Sequence, residues 1–239
     1  MSLVFGFFGF YRNSDTFSYN FNIRLKSYIK YIYSPTIINE DSDKKLSENI
    51  IIKKFGPDTK IILYEYNKQK HLDKYNKVSN EKFINEWFQQ GYRIFSFFYN
   101  LSEISKIIKS DNFDPEQIIV LSRIDIGLTI NKKINIQEKL QNCDILVTSL
   151  FDNCVDDKLF IFKFKHIDVF INLYNDYETY IYKFINNHED KPISTRPEDI
   201  FYYHFKNYNL IINESKKFIY DFEHVCSKYC GHNAENTIA

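Results

Sequence analysis

Four short groups of polar residues have the types and spacing to do chemistry. They are Gly9-Phe10-Tyr11-Arg12, Arg123-Ile124-Asp125, the acidic stretch 152–157 and Arg196-Pro197-Glu198-Asp199. The forked guanidinium of arginine binds phosphate, whereas carboxylates accept protons or ligate hard divalent cations. Three of the groups also have structural alternatives: a strand-to-helix turn, an ion pair at a strand end and a solvated acidic loop. Ligands of an open α/β sheet bind beyond the carboxyl ends of its strands, so the four groups together predict a polar site there.

A further cluster of potential ligands lies near the C-terminus, where His224, Cys226, Cys230 and His232 fall within nine residues. On a continuous helix Cys226 and Cys230 share a face, but His224 lies about 200° from Cys226. The spacing differs from that of a standard zinc finger, so a structural zinc is the less favoured interpretation. The chain has four cysteines in all, which makes a disulfide framework improbable at this length and predicts a reducing, cytoplasmic setting.

Alternating patterns predict the elements that would position these groups. Short apolar runs predict strands, and apolar residues that recur at three and four predict helices. The strands are expected at 3–8, 28–33, 60–66, 117–126, 144–150 and 159–164, and the helices at about 83–108, 167–186 and from Pro197 onward. Pro197 stands at the favoured first position of its helix. The alternation predicts an α/β fold with a mostly parallel sheet covered on both sides, as one domain over residues 1–212 with a C-terminal extension over 213–239.

Composition narrows the classes of protein to which the chain can belong. Its 239 residues carry 31 Lys and Arg against 31 Asp and Glu, so no net charge attracts it to nucleic acid or to an acidic membrane. The 44% hydrophobic and 18% aromatic content disfavours disorder, and most of the aromatic excess is typical of an AT-rich genome. No apolar stretch reaches the roughly 18 residues of a membrane span. Residues 1–10 lack the basic leader of a secretory signal and predict a buried first strand.

The motifs follow one another in a recognisable order. They are Gly9 to Arg12 after the first strand, Ser96-Phe97-Phe98-Tyr99 in a helix, Arg123 to Asp125 in VLSRIDIGL, Asp157-Lys158-Leu159-Phe160 before a strand, and Pro197-Glu198 before a helix. This order resembles a family of small glycosyltransferase-like proteins of the GT-A fold, found among surface-glycan genes of bacteria and large DNA viruses. The resemblance covers roughly residues 3–210 and implies a GT-A-like (Rossmann-like) single domain.

The resemblance implies a nucleotide-sugar donor at the ends of the strands. Gly9 would let the backbone approach the nucleotide, Tyr11 would stack on the base, and Arg12 would bind phosphate in a forked contact. Asp125 would ligate the Mn²⁺ or Mg²⁺ ion that stabilises the departing diphosphate. Arg123 stands where the fold usually has the first aspartate of Asp-x-Asp, so this arginine would contact phosphate or ribose directly.

The acidic loop supplies the candidates for proton transfer. If transfer inverts the anomeric centre, a carboxylate must take the proton of the acceptor hydroxyl, and neighbouring acids raise each other's pKa toward a useful range. Asp157 is the first candidate for this base and Asp156 the second. Glu198 would position the acceptor or serve as the base itself.

The sequence therefore predicts a hexosyl- or deoxyhexosyltransferase that uses a UDP- or GDP-sugar, acts on a glycan or glycoprotein, and lies in the cytoplasm, that of the host if the chain is viral. One alternative is a non-catalytic protein of the same fold that binds a glycan or a partner protein, which Arg123 in place of an aspartate favours. A nucleotidyltransferase is less favoured, because no Gly-rich, Lys-containing phosphate loop lies near the first strand.

Overall fold

The computed structural model describes residues 3–11, 28–38, 44–78, 91–125, 135–151, 154–186 and 197–214. The strands within these ranges are β1 Leu3–Phe8, β2 Ile29–Pro35, β3 Thr59–Tyr64, β4 Ile118–Arg123, β5 Ile145–Val147, β6 Leu150–Phe151, β7 Cys154–Val155, β8 Leu159–Lys163 and β9 Ile212–Glu214. The helices are α1 Glu48–Phe55, α2 Lys68–Val78, α3 Gly91–Ser110, α4 Ile136–Lys139, α5 Ile167–Asn186 and α6 Pro197–Asn207.

Seven strands form one sheet in the order β3-β2-β1-β4-β8-β5-β9, and β6 and β7 form a separate hairpin. In the sheet, β8 pairs antiparallel with β4 and β5, whereas the other pairs are parallel. The start of β8 therefore lies at the edge where the other strands end, and Leu159 pairs with Ser122 at the end of β4. This carboxyl edge gathers the residues that follow β1 and β4 together with those that precede β8.

The predicted fold class is confirmed as far as the α/β architecture: the chain has a mostly parallel sheet flanked by helices. All six predicted strands form, but β4 ends at Arg123 and β5 at Val147, short of the predicted ends at 126 and 150, because a turn at 124–125 and a bend at Thr148 follow them. The sequence did not predict β9, a short strand that pairs with β5, nor the antiparallel direction of β8. The described part of the chain has no helix that is long and apolar enough to cross a membrane.

The predicted helices form as far as they are described. The first is confirmed from Gly91 onward, while residues 83–90 lie outside the described part. The helix at 167–186 is confirmed, and α6 begins at Pro197 as predicted. Most of the predicted C-terminal extension, including the cluster from His224 to His232, lies outside the described residues, and β9 continues to Glu214.

Buried apolar side chains cover both faces of the sheet. On one face α3, α5 and α6 pack on the strands through a set of buried rings: Phe95, Phe98, Phe160, Phe162, Phe170, Phe201 and Phe205. On the other face α1 and α4 cover a smaller cluster. Helix α3 approaches β1 closely at Gly6, where a Cβ atom would lie 2.6 Å from Leu121 Cδ2 and 2.7 Å from Ile108 Cδ1. Glycine at this position lets α3 lie directly against β1.

A buried histidine joins α6 to α5. His204 Nε2 lies 2.7 Å from the carbonyl oxygen of Val169, and Nδ1 lies 2.7 Å from the hydroxyl of Tyr180. Because a carbonyl only accepts, Nε2 must carry the proton, and Nδ1 of the neutral ring then accepts from Tyr180. Burial lowers the pKa of His204, and the bond to Val169 and the nearby Asp176 oppose it only in part. Burial therefore favours the neutral imidazole at this contact between the two helices.

We expect the protein to lose stability as the pH falls below 6.5, the ordinary pKa of histidine. The folded-state pKa of His204 is lowered, so the unfolded chain takes up the proton first. Each pH unit between the unfolded and folded values costs up to about 1.4 kcal/mol. Urea unfolding between about pH 7.5 and 5 measures this slope. His204→Gln keeps a donor for Val169 without titrating, so its slope should be smaller, and equal slopes would contradict this role.

Candidate functional site

A cavity of about 180 Å³ opens at the carboxyl edge of the sheet, between the ends of β1 and β4, the first half of α3 and the start of α6. The parallel pairing of Phe8 with Arg123 brings these two strand ends side by side. Gly9 after β1, Arg123 and Asp125 at the end of β4, and Pro197 at the start of α6 all line the cavity. The structure thus brings residues from three of the four sequence groups to one place.

Arg123 is held by two carboxylates from different parts of the chain. Its Nε and Nη2 donate to Asp125 Oδ1 at 3.1 Å and Oδ2 at 2.9 Å, which makes a forked pair. Its Nη1 donates to Asp157 Oδ2 at 3.2 Å. Asp157 reaches Arg123 because β8 runs antiparallel to β4, so the residues before β8 return to the end of β4. Asp157, from the acidic stretch that is the remaining sequence group, therefore joins the site through the guanidinium of Arg123.

This cluster is largely withdrawn from water, with side-chain exposures of 20% for Arg123, 15% for Asp125 and 12% for Asp157. Burial by itself lowers the pKa of Arg123, but Asp125 and Asp157 outweigh it and the net shift is upward. Burial raises the pKa of Asp157, Arg123 opposes that shift, and the neighbouring Asp156 adds to it. Arg123 is therefore a permanent cation, whereas the pKa of Asp157 is raised above its ordinary value. A carboxyl group of this kind is a candidate for proton transfer.

Asp156 has a different set of partners from Asp157. Its Oδ2 accepts from Thr148 Oγ1 at 2.6 Å and lies 3.2 Å from Lys158 Nζ, while its Oδ1 accepts from the backbone N–H of Lys158 at 3.2 Å. These bonds close the turn between β7 and β8. The side chain of Asp156 thus holds the turn that carries Asp157 to Arg123.

Glu198 lies in the first turn of α6, directly after Pro197, and is partly exposed. A carboxylate at this end of a helix is stabilised by the helix dipole. The next residue, Asp199, accepts a hydrogen bond from Cys154 Sγ at 2.6 Å, which ties α6 to the β6–β7 hairpin. Glu198 thus directly follows Pro197, the residue of α6 that lines the cavity.

The group after β1 is only partly described. Gly9 has a φ of +96°, a conformation that favours glycine, and a Cβ there would meet no atom within 4 Å. The glycine is thus required by its backbone angle. Tyr11 is 3% exposed and packs in the core beneath α1, with Lys54 Nζ 4.9 Å from its ring centroid. In this position the ring of Tyr11 contacts Lys54. Arg12 and Arg196 lie outside the described residues.

The described residues do not fit a divalent cation held by the protein. Both carboxylate oxygens of Asp125 accept from the guanidinium of Arg123, so a cation at Asp125 would lie beside a positive charge. In the seven described ranges, no group of three or more His, Cys, Asp or Glu side chains could hold a metal ion. The Mn²⁺ or Mg²⁺ ion at Asp125 stays a prediction from the family resemblance.

One face of α3 contributes cavity residues that were not predicted as site residues, although Ser96 and Phe97 belong to the motif at 96–99. Arg93, Ser96, Phe97 and Asn100 all line the cavity at helical spacing. Ser96 and Asn100 are 2% and 1% exposed in a helix whose other buried positions are mostly apolar. Two polar residues four apart in such a helix are the signal in the sequence that could have indicated this part of the site. Asn100 Nδ2 donates to the carbonyl of Ser96 at 2.6 Å and Asn100 Oδ1 accepts from Tyr64 Oη at 2.8 Å, so this part of the helix is fixed.

Comparison with known proteins gave structural likenesses only. No family model and no curated protein matches the chain. Mouse xyloside xylosyltransferase 1 in its apo form is 11% identical over 90% of this chain and 84% of that chain, with a TM-score of 0.46. A nucleoside-diphosphate-sugar pyrophosphorylase from Vibrio cholerae RC9 is 9% identical over 89% and 90%, with a TM-score of 0.44. A mutant transferase is 12% identical over 87% and 84%, with a TM-score of 0.41. At these values the likeness assigns no substrate and no residue role to this chain.

Proposed function

We propose that the protein is a glycosyltransferase that moves a sugar, a hexose or deoxyhexose, from a nucleotide-sugar donor to a glycan or glycoprotein. The observation that carries this proposal is the cavity at the carboxyl edge of the sheet, where Gly9, Arg123 and Asp125 lie together. Arginine recognises phosphate oxygens, and this edge is where open α/β sheets bind nucleotides. The donor classes we expect are UDP- and GDP-sugars.

The reaction that such a site would perform has a simple balance. The bond between the anomeric carbon and the diphosphate oxygen breaks, and the acceptor oxygen forms a new bond to that carbon. The proton of the acceptor hydroxyl passes to a carboxylate, and the nucleoside diphosphate leaves with the bonding electron pair. The charge on the leaving group must be stabilised, and the permanent charge of Arg123 supports that role.

Three carboxylates are candidates for the base, and their surroundings differ. Asp157 has the raised pKa that suits a base, but it is hydrogen-bonded to Arg123. Asp156 is engaged by Thr148 and Lys158. Glu198 is partly exposed beside the cavity residue Pro197. We propose Asp157 as the first candidate for the base. Glu198 then positions the acceptor, or serves as the base in place of Asp157.

Titrating the full chain with UDP-, GDP-, dTDP- and CMP-sugars, with and without Mn²⁺, tests the proposal. We expect one donor class to bind and to be turned over in the presence of an acceptor mixture. Asp157→Asn and Glu198→Gln should then separate the base from the positioning residue. Loss of the base lowers kcat at unchanged donor affinity, whereas loss of an acceptor contact raises the acceptor KM. If no sugar nucleotide binds and Asp125→Ala changes no nucleotide response, the proposal is wrong.

A second candidate function is a non-catalytic protein that binds a glycan or a partner. The observation in its favour is the size of the cavity, about 180 Å³. Pockets for whole ligands usually measure about 300–1,000 Å³. In addition, both oxygens of Asp125 are paired with Arg123. Binding of a free glycan with no binding of any sugar nucleotide would favour this function.

A further inference from the structure

We propose that Ser96, Arg93 and Arg123 form a phosphate subsite that holds a diphosphate directly, without a divalent cation. The inference rests on the proposed function, in which the donor carries the diphosphate. It assigns a binding role to two residues of α3 and replaces the cation expected at Asp125 by arginine side chains.

Ser96 lines the cavity with a hydroxyl that has no hydrogen-bond partner among the described residues, although the side chain is 2% exposed. Serine in a helix commonly donates to the carbonyl four residues earlier, and Ser105 on the same helix does so, to Leu101 O at 2.7 Å. Ser96 makes no such bond. A buried hydroxyl without a partner costs free energy, so a ligand atom that pairs with it gains affinity.

Two arginines flank this hydroxyl along the cavity. Arg93 lies one turn before Ser96 on the same face of α3, and Arg123 lies across the cavity at the end of β4. Asp125 and Asp157 engage three of the five N–H donors of Arg123 and fix its plane, and the other two have no acceptor within the described ranges. A planar guanidinium fixed in this way can donate to phosphate oxygens without further ordering.

The size of the cavity and its ligands favour a diphosphate without a metal ion. About 180 Å³ is too little for a whole sugar nucleotide but suits the diphosphate part of one. A cation would need carboxylate oxygens, and Asp125 gives both of its oxygens to Arg123. Arg93, the two remaining N–H groups of Arg123 and the Ser96 hydroxyl supply the hydrogen-bond donors that a diphosphate requires, while Asp125 and Asp157 offset the charge of Arg123.

Calorimetric titration of the full chain with inorganic pyrophosphate, UDP and GDP, in EDTA and in Mn²⁺, tests the subsite. We expect binding in EDTA, with affinities within about threefold of those in Mn²⁺, since the arginines and the hydroxyl supply the donors to the phosphate oxygens. Ser96→Ala should weaken binding by about tenfold and Arg93→Ala by more. Ser96→Ala removes an unpaired polar group, so its melting temperature should not fall, which separates binding from folding. Ser105→Ala is the matched control, a buried serine on the same helix away from the cavity.

Each outcome has a definite meaning. Binding that occurs only with Mn²⁺ overturns this inference and leaves the proposed glycosyltransferase standing. Binding in EDTA that Ser96→Ala and Arg93→Ala leave unchanged also overturns it, because the phosphate then lies elsewhere. Pyrophosphate binding that depends on both residues, without turnover of any sugar nucleotide, supports the subsite and counts against the proposed function. Absence of any binding overturns both.

Discussion

Replacing Arg123 by alanine is expected to lower the free energy of unfolding by roughly 3–5 kcal/mol and to abolish nucleotide binding. The change leaves Asp125 and Asp157, which are 15% and 12% exposed, without the cation that they share. Removing one partner of a buried ion pair costs more than the pair contributes, since the remaining charge stays desolvated. Because burial raises the pKa of Asp157, the loss should be smaller at acid pH, where this group takes up a proton.

Two further variants separate stability from binding. Arg123→Met combined with Asp125→Asn and Asp157→Asn removes all three charges, so it should recover most of the lost stability without recovering nucleotide binding. Arg123→Lys keeps the charge but cannot form the forked pair with Asp125, so both properties should be intermediate. Urea unfolding and calorimetry with UDP measure the two quantities. Arg123→Ala with wild-type stability would show that the two carboxylates do not depend on this arginine.

Replacing Phe201 by alanine is expected to cost about 3–5 kcal/mol, the usual range for a large ring in a core. Phe201 is fully buried, and its ring centroid lies 4.6 Å from that of Phe160, 5.4 Å from Phe98 and 5.9 Å from Phe97. The ring joins α6 to α3 and β8 one turn after Pro197. Its loss should therefore also weaken ligand binding in the molecules that stay folded, because Phe97 and Pro197 both line the cavity.

Chemical unfolding of Phe201→Ala against Phe201→Leu and Lys206→Ala checks this expectation. Leucine fills part of the space and should lose less, while the exposed Lys206 on the same helix should change stability by no more than about 0.5 kcal/mol. If Phe201→Ala costs under about 1 kcal/mol, the aromatic cluster does not fix α6 on the sheet.

The elements that the sequence predicted best are those with strong patterns. The runs that became β1, β4 and β8 are almost wholly apolar, and α5 and the start of α6 follow from helical spacing and from Pro197. The short strand β9 carries one apolar residue in three and is held by its pairing with β5. Such a strand has little signal of its own, because its position depends on a neighbour that is distant in the chain.

The residues of the site also divide into those that the sequence predicted and those that only the tertiary structure brought together. The sequence alone determined that Arg123 and Asp125 end a buried strand and that Gly9 and Pro197 stand where the chain enters or leaves an element, since these are local properties of residue type. Only the tertiary structure decided that Asp157 binds Arg123, because that contact depends on the antiparallel direction of β8. It also decided that Tyr11 is buried beneath α1 and that Arg93 and Ser96 face the cavity. Local patterns specify an element, but the packing of elements far apart in sequence selects which of its faces meets the site.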